Sequence, residues 1–312
     1  MKYNYLFQQY LDCANTSEIF EYFKQNLQDS ITLWDYFVKW EKVLNNFKAV
    51  EIHLNALNYL IGKDDIEQEF RILLQKMPDI ISTIPILLAL RTDNKITNIK
   101  VLTDYTKNNF TYKDFDFKSK PTLSKEEIDN IIEFTKNTGI LELFQNKTIK
   151  SIPDYVIGVE VGLDTNGRKN RIGMCMENIV ENFLTSICEQ NNFTFITQAR
   201  AKKIKEQWNI DVKVDKSERR FDFAINAGNK LYLIETNFYG GGGSKLKSTA
   251  GEYRDLYDVI SSQGHGFIWI TDGFGWKKSL RPLEETFNYI DYTMNINMLA
   301  SGLLEEIIKQ NL

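Results

Sequence analysis

The stretch RFDFAINAGNKLYLIETNFY, residues 220–239, decides the fold of this protein. It contains two runs rich in aromatic and β-branched residues, RFDFAI and KLYLIETNFY, a composition that favours strands. The tight Asn226-Ala-Gly-Asn229 sequence between them is typical of a β-turn. The stretch therefore predicts an antiparallel β-hairpin.

Two carboxylates lie in otherwise apolar positions of this hairpin. Successive strand residues point to opposite faces, so Glu235 and Asn237 share a face with Leu231 and Leu233. Asp222 is placed in the same way between two phenylalanines of the first strand. Antiparallel pairing brings Asp222 and Glu235 together, and a hard divalent cation is the usual means of offsetting their repulsion.

The residues alone leave a simpler interpretation open. Arg219 and Arg220 are adjacent to the acids in sequence, and on the residues alone the two acids are more simply ordinary ion-pair positions. Glu177 supports a metal site, because it belongs to a predicted amphipathic helix over residues 173–190 that should pack on the sheet. Taken by itself, Glu177 is more simply a solvated helix residue.

The regions around the hairpin predict the fold class. A helix over residues 249–263, a short apolar strand FIWITD at 267–272 and a helical tail from Leu283 follow it. Helix, hairpin, helix and strand predict an α/β fold, with one mixed β-sheet flanked by helices.

The first part of the chain has a different pattern. Apolar residues at three-to-four spacing predict a mainly α-helical N-terminal region over residues 1–150, ahead of a catalytic domain over 151–312. Ser124 and Glu127 form a capping pair for a helix that ends near Gly139. The aromatic and polar stretch 103–121 is aperiodic and predicts a long loop with a short strand.

Composition excludes several classes of protein. With 312 residues, 43% hydrophobic side chains and a net charge of −4, the chain is globular rather than disordered. Only two histidines are present, so carboxylates or lysines must carry any catalysis. No secretory signal or stretch long enough for a membrane span is visible. Three scattered cysteines favour reduced thiols in a cytoplasmic protein.

The basic residues predict where nucleic acid would bind. The 38 basic and 42 acidic residues are spread evenly along the chain, so a DNA-binding surface must be a local patch. Side chains of loops and helix N-termini commonly meet phosphates, and arginine also reads guanine. The turn-rich sequence 156–173 predicts a loop that could contact DNA. The basic stretch 198–220 is a second candidate for DNA contact, and a solvated helix face is the alternative explanation of its charge. The candidates are Arg168, Lys169, Asn170 and Arg171 from the first segment, and Arg219 and Arg220 from the second.

A glycine run, residues 240–243, precedes Ser244 and Lys245. Such a run lets backbone amides approach a phosphate closely, which makes Ser244 and Lys245 further DNA-binding candidates. The spacing is not that of a P-loop. A flexible connection between strand and helix explains the run equally well.

The order of the acids resembles the metal-binding motif of the PD-(D/E)xK nuclease superfamily. Asp222 is followed after twelve residues by Glu235-Thr236-Asn237, with Asn237 in the lysine position and no proline before the aspartate. Longer blocks resemble DpnII-type (MboI-like) restriction endonucleases. They are residues 156–184, RFDFAI, 231–256 and 267–290, and the similarity covers most of residues 151–290.

That resemblance implies a homodimeric, Mg²⁺-dependent enzyme acting on double-stranded DNA. It implies cleavage of the palindrome GATC before the G, with 5′ overhangs, and inhibition by N6-methylation of the adenine. A cognate adenine methyltransferase would protect the host DNA without needing to bind this protein. The residues matching the metal-binding acids are Asp222 and Glu235, with Glu177 as the acid of the preceding helix.

Asn237 departs from the superfamily pattern. An amide can orient water but cannot supply a positive charge, so we expect Lys245 or a second metal ion to supply it. Two other functions stay open. The chain would then be a different nuclease of the same fold, for repair or junction cleavage, or a catalytically inert DNA-binding module.

Overall fold

The computed structural model describes residues 4–90, 97–106, 109–214 and 219–310. The chain forms two compact units, each with its own core. The sheet unit comprises Met1–Trp34 and Lys169–Leu312, and the helical unit comprises Asp35–Arg168. Among the described residues, no helix combines the length and the apolar composition needed to cross a bilayer.

The described residues contain α-helices, short 3₁₀ helices and strands in the following order. The α-helices are α1 (Asn4–Leu11), α2 (Thr16–Gln25), α3 (Trp40–Lys48), α4 (Glu51–Leu57), α5 (Ile66–Lys76), α6 (Ile84–Leu87), α7 (Lys125–Asn137), α8 (Ile140–Gln145), α9 (Ile152–Asp164), α10 (Arg168–Asn191), α11 (Ala201–Trp208), α12 (Ser244–Ser261), α13 (Leu280–Tyr289), α14 (Ile296–Ala300) and α15 (Leu303–Lys309). The 3₁₀ helices are Trp34–Tyr36, Asn58–Leu60, Pro78–Thr83, Thr165–Gly167 and Phe274–Lys278. The strands are β1 (Asn98–Thr106), β2 (Asn109–Asp116), β3 (Thr194–Arg200), β4 (Arg220–Asn226), β5 (Leu231–Phe238), β6 (Gly266–Asp272) and β7 (Tyr292–Met294).

The sheet unit is built on a five-stranded mixed sheet of order β3-β4-β5-β6-β7. Strands β3, β4 and β5 are antiparallel, whereas β6 and β7 run parallel to β5. This confirms the predicted α/β class and the predicted hairpin, whose turn contains Gly228 at a φ of +79°. The two outer strands, β3 and β7, were not predicted, because β3 is largely polar and β7 has only three residues.

Helices α10 and α12 contribute to the core of the sheet. Every residue of β6 is buried, and the first five residues of β5 are buried too. The same apolar cluster includes Met176 and Leu184 from α10 and Leu256 and Ile260 from α12. Burial of a large apolar side chain contributes about 1.5–3 kcal/mol, so this cluster holds the central hairpin rigidly in place.

The units do not divide at residue 150, the boundary expected from the change in pattern. Helices α1 and α2 belong to the sheet unit, because Phe20 and Phe23 pack on Phe287 with ring centroids 5.2 and 5.5 Å apart. The side chain of Asn295 donates a 3.0 Å hydrogen bond to the carbonyl of Phe23. These partners are separated by more than 260 residues, so local periodicity could not reveal them.

The expected loop over residues 156–173 is wrong, because this segment is helical. The side chain of Ser151 caps α9, and Pro153 stands in its first turn. The buried face of α9 includes Glu160 and Asp164, which accept hydrogen bonds from the Asn46 side chain (2.7 Å) and the Lys39 backbone (3.1 Å). Two buried acids and two glycines hid the helical period from the sequence.

The expected long loop at 103–121 is also wrong. Strands β1 and β2 form an antiparallel pair with a bulge between Leu102 and Asp104. Phe115 and Phe117 pack on Phe134 of α7, but exposed aromatic residues on the other face obscure the alternation. By contrast, the capping box of Ser124 and Glu127 is confirmed at the start of α7.

Asp272, at the end of β6, anchors the N-terminal segment to the sheet. Its buried carboxylate accepts backbone hydrogen bonds from Gln28 (2.7 Å), Gly273 (2.7 Å) and Ile296 (2.9 Å). A carboxylate that satisfies three backbone donors removes the desolvation cost that each would otherwise incur.

We expect Asp272→Asn to lower the free energy of unfolding by about 1–3 kcal/mol, since one oxygen becomes an amide facing a backbone donor. Urea denaturation measures this. Asp211→Asn is the matched control, because Asp211 is exposed and pairs with Lys205 in a surface ion pair that contributes under about 1 kcal/mol. Equal losses in both variants would contradict the anchoring role.

Candidate active site

The hairpin of β4 and β5 places Asp222 next to Glu235. Phe223 is paired with Ile234 in the antiparallel ladder, and Asp222 and Glu235 lie one step further along. Thr236 holds Asp222 in position, because its backbone N–H and its hydroxyl donate to the same carboxylate oxygen, Oδ2, at 2.7 and 2.9 Å. Burial raises the pKa of Asp222, against the opposing effects of the Thr236 hydrogen bonds and the Arg220 charge.

Glu235 is the most deeply buried acid of the site, with 6% of the residue exposed. Its Oε1 has no hydrogen-bond partner among the described residues, although Arg219 Nη1 lies 3.9 Å away. Its Oε2 accepts a 3.3 Å hydrogen bond from the Tyr253 hydroxyl. Burial, followed by the charge of Asp222, raises the pKa of Glu235 to about 8, while Arg219 opposes the shift.

Glu177 approaches this pair from α10. Its Oε2 accepts a 2.6 Å hydrogen bond from the side chain of Gln198. Gln198 has a φ of +51° and lies between the paired positions Thr197 and Ala199, opposite Asp222 in the ladder. Burial and the charge of Asp222 raise the pKa of Glu177. All three predicted acids are therefore electrostatically linked through Asp222.

The residues fit a divalent cation held by two carboxylates. Within the described ranges, no three His, Cys, Asp or Glu side chains come close enough to enclose a metal ion. Mg²⁺ does not need such a cage, since it commonly binds one or two carboxylates and takes its remaining oxygens from phosphate and water. The unpartnered Oε1 of Glu235, beside Asp222, is a buried acceptor suited to that purpose.

Asn237, in the lysine position of the motif, is held by the neighbouring strand β6. Thr271 is its partner in the parallel register and donates a 2.5 Å hydrogen bond from Oγ1 to Asn237 Oδ1. Trp276 Nε1 in turn donates to Thr271 Oγ1 at 2.8 Å. Burial raises the pKa of the Tyr253 hydroxyl, and the nearby Asn237 amide opposes that rise. Asn237 Nδ2 nevertheless makes no well-formed hydrogen bond within the described residues.

The two arginines before β4 have different surroundings. The side chain of Arg219 is only 11% exposed and forms a 2.8 Å ion pair with Glu252. It therefore faces the acids rather than a DNA ligand in solvent. Arg220 is exposed. Burial raises the pKa of both Asp222 and Glu177, and the charge of Arg220 opposes that rise. Residues 215–218 of this basic segment lie outside the described residues.

The basic cluster at 168–171 is the start of α10 rather than a loop. Arg168 donates from Nε to the carbonyl of Phe37 at 3.3 Å, and Asn170 is exposed. Arg171 is only 6% exposed, so its side chain is not presented to a DNA ligand in this conformation. The side chain of Lys169 lies outside the described part of the structure.

The glycine run leads into the predicted helix α12, but this helix begins at Ser244 rather than at residue 249 and leaves Ser244 and Lys245 exposed on its first turn. The loop is held at one end by Gly275, whose N–H donates to the Tyr239 carbonyl at 2.7 Å. A Cβ atom at Gly275 would stand 2.5 Å from the carbonyl oxygens of Tyr239 and Gly241, so only glycine permits this approach.

Sequence reasoning missed the residues that hold the acids and the amide. Their signals were weak, because a tyrosine on a helix and a threonine in an apolar strand are common core residues. Only Thr271, a polar residue in the fully buried strand β6, stood out locally. The missed residues are Gln198, Thr236, Tyr253, Thr271 and Trp276.

The structure places two adjacent acids, the half-buried Asp222 and the buried Glu235, on a hairpin of the mixed sheet. The comparison with known families is specific: the model of the DpnII restriction endonuclease family matches residues 19–306. The chain belongs to this family. It is accordingly an enzyme of the type II site-specific deoxyribonuclease class.

Curated relatives agree over almost the full length. The chain is 48% identical to the type II restriction enzyme MjaIII of Methanocaldococcus jannaschii, over 93% of this chain and 99% of that protein. It is 41% identical to LlaDCHI of Lactococcus lactis subsp. cremoris, over 89% and 90% of the two chains. It is 37% identical to DpnII of Streptococcus pneumoniae, over 92% and 98%.

The raised pKa of Glu235 predicts that the free energy of unfolding decreases as pH rises. The folded protein keeps the Glu235 proton up to about pH 8, whereas the ordinary pKa is 4.5. The free energy of unfolding of the metal-free protein therefore falls as pH rises between these values. Glu235→Gln lacks this loss, so we expect it to be more stable than the wild type at pH 8 by about 1–3 kcal/mol.

Thermal unfolding with a chelator, at pH 5 and at pH 8, measures this difference. We expect the two proteins to differ little at pH 5, because the wild type has lost only a small part of its pH-dependent stability there. A Glu235→Gln variant that is less stable than the wild type at pH 8 would show that the Arg219 and Tyr253 contacts outweigh the burial cost.

Proposed function

We propose that this enzyme cuts both strands of DNA at GATC before the G, leaving 5′ overhangs, and that N6-methylation of the adenine blocks it. The observation that supports catalysis is the adjacent pair of half-buried Asp222 and buried Glu235, with one unpartnered carboxylate oxygen on Glu235 among the described residues. The sequence preference is supported by the resemblance of long blocks to DpnII-type enzymes. Unmethylated double-stranded DNA is therefore the proposed substrate.

Mg²⁺ is the proposed cofactor, with Asp222 and Glu235 as its direct ligands. When bound, it would supply a Lewis acid for the scissile phosphate and lower the pKa of a water molecule. Glu235 must lose its proton to serve as a ligand, and Arg219 at 3.9 Å favours the ionised form. Glu177, which accepts a hydrogen bond from Gln198, would act through a water molecule.

Asn237 supplies orientation rather than charge. Its Oδ1 is occupied by Thr271, so its amide hydrogens are the part available to a water molecule or a phosphate oxygen. Arg219 is committed to Glu252 and Glu235. We therefore propose that exposed Lys245, on the first turn of α12, provides the positive charge that the motif lysine provides elsewhere.

A homodimer is the proposed assembly. A two-fold palindrome presents equivalent phosphates on both strands, and two equivalent active sites meet them most simply across a two-fold axis. A cognate adenine methyltransferase would protect host DNA without binding this protein. The free thiols of Cys13, Cys175 and Cys188 suit the reducing cytoplasm, which is the proposed location.

Incubation with unmethylated plasmid and Mg²⁺ separates this function from its alternatives. We expect a discrete GATC digest, and no digestion of adenine-methylated plasmid. Random nicking would instead indicate a repair or junction nuclease of the same fold. Intact unmethylated DNA, with binding retained, would indicate an inert DNA-binding module.

We expect Asp222→Ala and Glu235→Ala each to abolish cleavage while DNA binding is retained. These acids hold the metal rather than the bases, and removing a carboxylate near phosphate reduces repulsion. Gel-shift titration without divalent cation measures binding, and plasmid digestion measures cleavage. Glu285→Gln is the control, since Glu285 is exposed on α13 and pairs with Arg281. Full activity in either alanine variant would refute the proposed site.

We expect Lys245→Ala to slow the chemical step by about 10²–10³-fold, the usual effect of one oriented electrostatic group. Lys245→Arg should recover part of the rate, because the guanidinium is larger and planar. Single-turnover cleavage at saturating enzyme isolates this step from binding. Lys247→Ala, an exposed lysine two residues further along α12, is the matched control. A normal single-turnover rate in Lys245→Ala would reduce Lys245 to a DNA contact.

A further inference from the structure

Two buried side chains, Trp276 and Thr271, form a directed hydrogen-bond series that ends at the half-buried Asn237. Trp276 has a single polar atom, Nε1–H, which can only donate. It donates to Thr271 Oγ1 at 2.8 Å, so the Thr271 hydroxyl accepts there and has its own hydrogen free to donate onward. That hydrogen goes to Asn237 at 2.5 Å, so the atom of Asn237 facing Thr271 must be the carbonyl oxygen.

The series fixes the orientation of the Asn237 amide, with its carbonyl oxygen toward Thr271. A flipped amide would place its NH₂ group against a hydroxyl that already accepts from Trp276, and the hydroxyl hydrogen would lose its acceptor. Thr271 and Trp276 are fully buried, so water cannot replace that acceptor. An unsatisfied buried donor disfavours the flipped form by roughly one to two orders of magnitude in population.

The fixed amide leaves its NH₂ group without a well-formed partner among the described residues. Asn237 lies two residues after Glu235 on the same face of β5. Tyr253 of α12 donates a hydrogen bond from its hydroxyl to Glu235. A buried donor and a buried acceptor, Asn237 Nδ2 and Glu235 Oε1, are thus both left for a third group. A water molecule or a phosphate oxygen can accept from the first of these.

Lysine and asparagine differ in one respect at this position. Lysine can only donate, whichever way its side chain rotates, whereas asparagine can present either a donor or an acceptor. An asparagine that replaces a lysine therefore needs a neighbour that fixes its orientation.

We propose that Thr271 and Trp276 are positioning residues that lock the Asn237 amide with its NH₂ group toward the acid pair. The lock makes Asn237 a pure hydrogen-bond donor for the water or phosphate oxygen in the site. This role rests on the proposed nuclease function and deepens it. Packing alone would not require it, because the Trp276 ring already packs edge-to-face against Trp269 and Tyr239, with ring centroids 5.6 and 5.2 Å apart.

The test separates the hydroxyl from the shape of the side chain. Thr271→Val keeps the shape and removes the hydroxyl, whereas Thr271→Ser keeps the hydroxyl. We expect Thr271→Val to slow single-turnover cleavage by about 10–100-fold with DNA affinity unchanged, consistent with one lost orienting hydrogen bond. We expect Thr271→Ser to stay within about threefold of the wild type. Trp276→Phe, which keeps an aromatic ring and removes the donor, should slow cleavage in the same direction.

Two further measurements isolate the amide. In an Asn237→Ala background, Thr271→Val should cause no additional loss of rate, because there is no amide left to orient. With ¹⁵N-labelled asparagine, the side-chain NH₂ signals that disappear in Asn237→Ala identify this residue. We expect these signals to shift in Thr271→Val and to keep their wild-type positions in Thr271→Ser.

Several results would overturn the proposal. They are a wild-type cleavage rate in Thr271→Val, an equal loss in Thr271→Ser and Thr271→Val, or an undiminished effect of Thr271→Val without Asn237. If Thr271→Val does not fold, Trp276→Phe and Thr271→Ser carry the same comparison. Failure of the wild type to cut GATC would refute the proposed function instead, while the NH₂ signals would still report whether the lock exists.

Discussion

The burial of Glu235 is the constraint on which the rest of the site depends. A carboxylate that is 6% exposed inside a sheet is costly unless it is neutral, paired or bound to a cation. Tyr253 and Arg219 each compensate part of that cost, and neither satisfies Oε1 by a hydrogen bond. Burial and the charge of Asp222 keep its pKa high, and Oε1 stays available as an acceptor.

Strand β6 couples this site to the stability of the sheet unit. Its consecutive residues Thr271 and Asp272 point to opposite faces, as strand residues do. Thr271 contacts Asn237 in the site, whereas Asp272 binds the backbone of Gln28 and Ile296. One buried strand thus positions the amide of the active site and attaches the N-terminal segment to the same core.

The departure from lysine divides one residue's tasks among several. A lysine supplies a donor and a positive charge from a single side chain. Here Asn237 can supply the donor, oriented by Thr271, while the charge must come from elsewhere. Arg219 already balances Glu235 and Glu252, and we propose the exposed Lys245 as the source of positive charge for the phosphate. In that proposal Thr271 of β6 contributes to the reaction through the orientation of Asn237.

The sequence by itself determined the hairpin, the proximity of Asp222 and Glu235, the helix start at Ser124 and the family. The first three follow from residues that are close together in the chain, where strand alternation, turn residues and capping act locally. The family follows instead from the resemblance of long blocks between residues 151 and 290. The same local patterns failed where buried acids and glycines masked the period of α9, and where exposed aromatic residues masked β1 and β2.

Only the tertiary structure decided which side chains hold the site together. It attached the first helices to the sheet unit, buried Arg171, turned Arg219 toward the acids and brought Thr271 and Trp276 to Asn237. These contacts join residues far apart in the chain, and they arise from strand order and packing. Local sequence periodicity carries no information on either, because it records which face a residue occupies and not what that face meets.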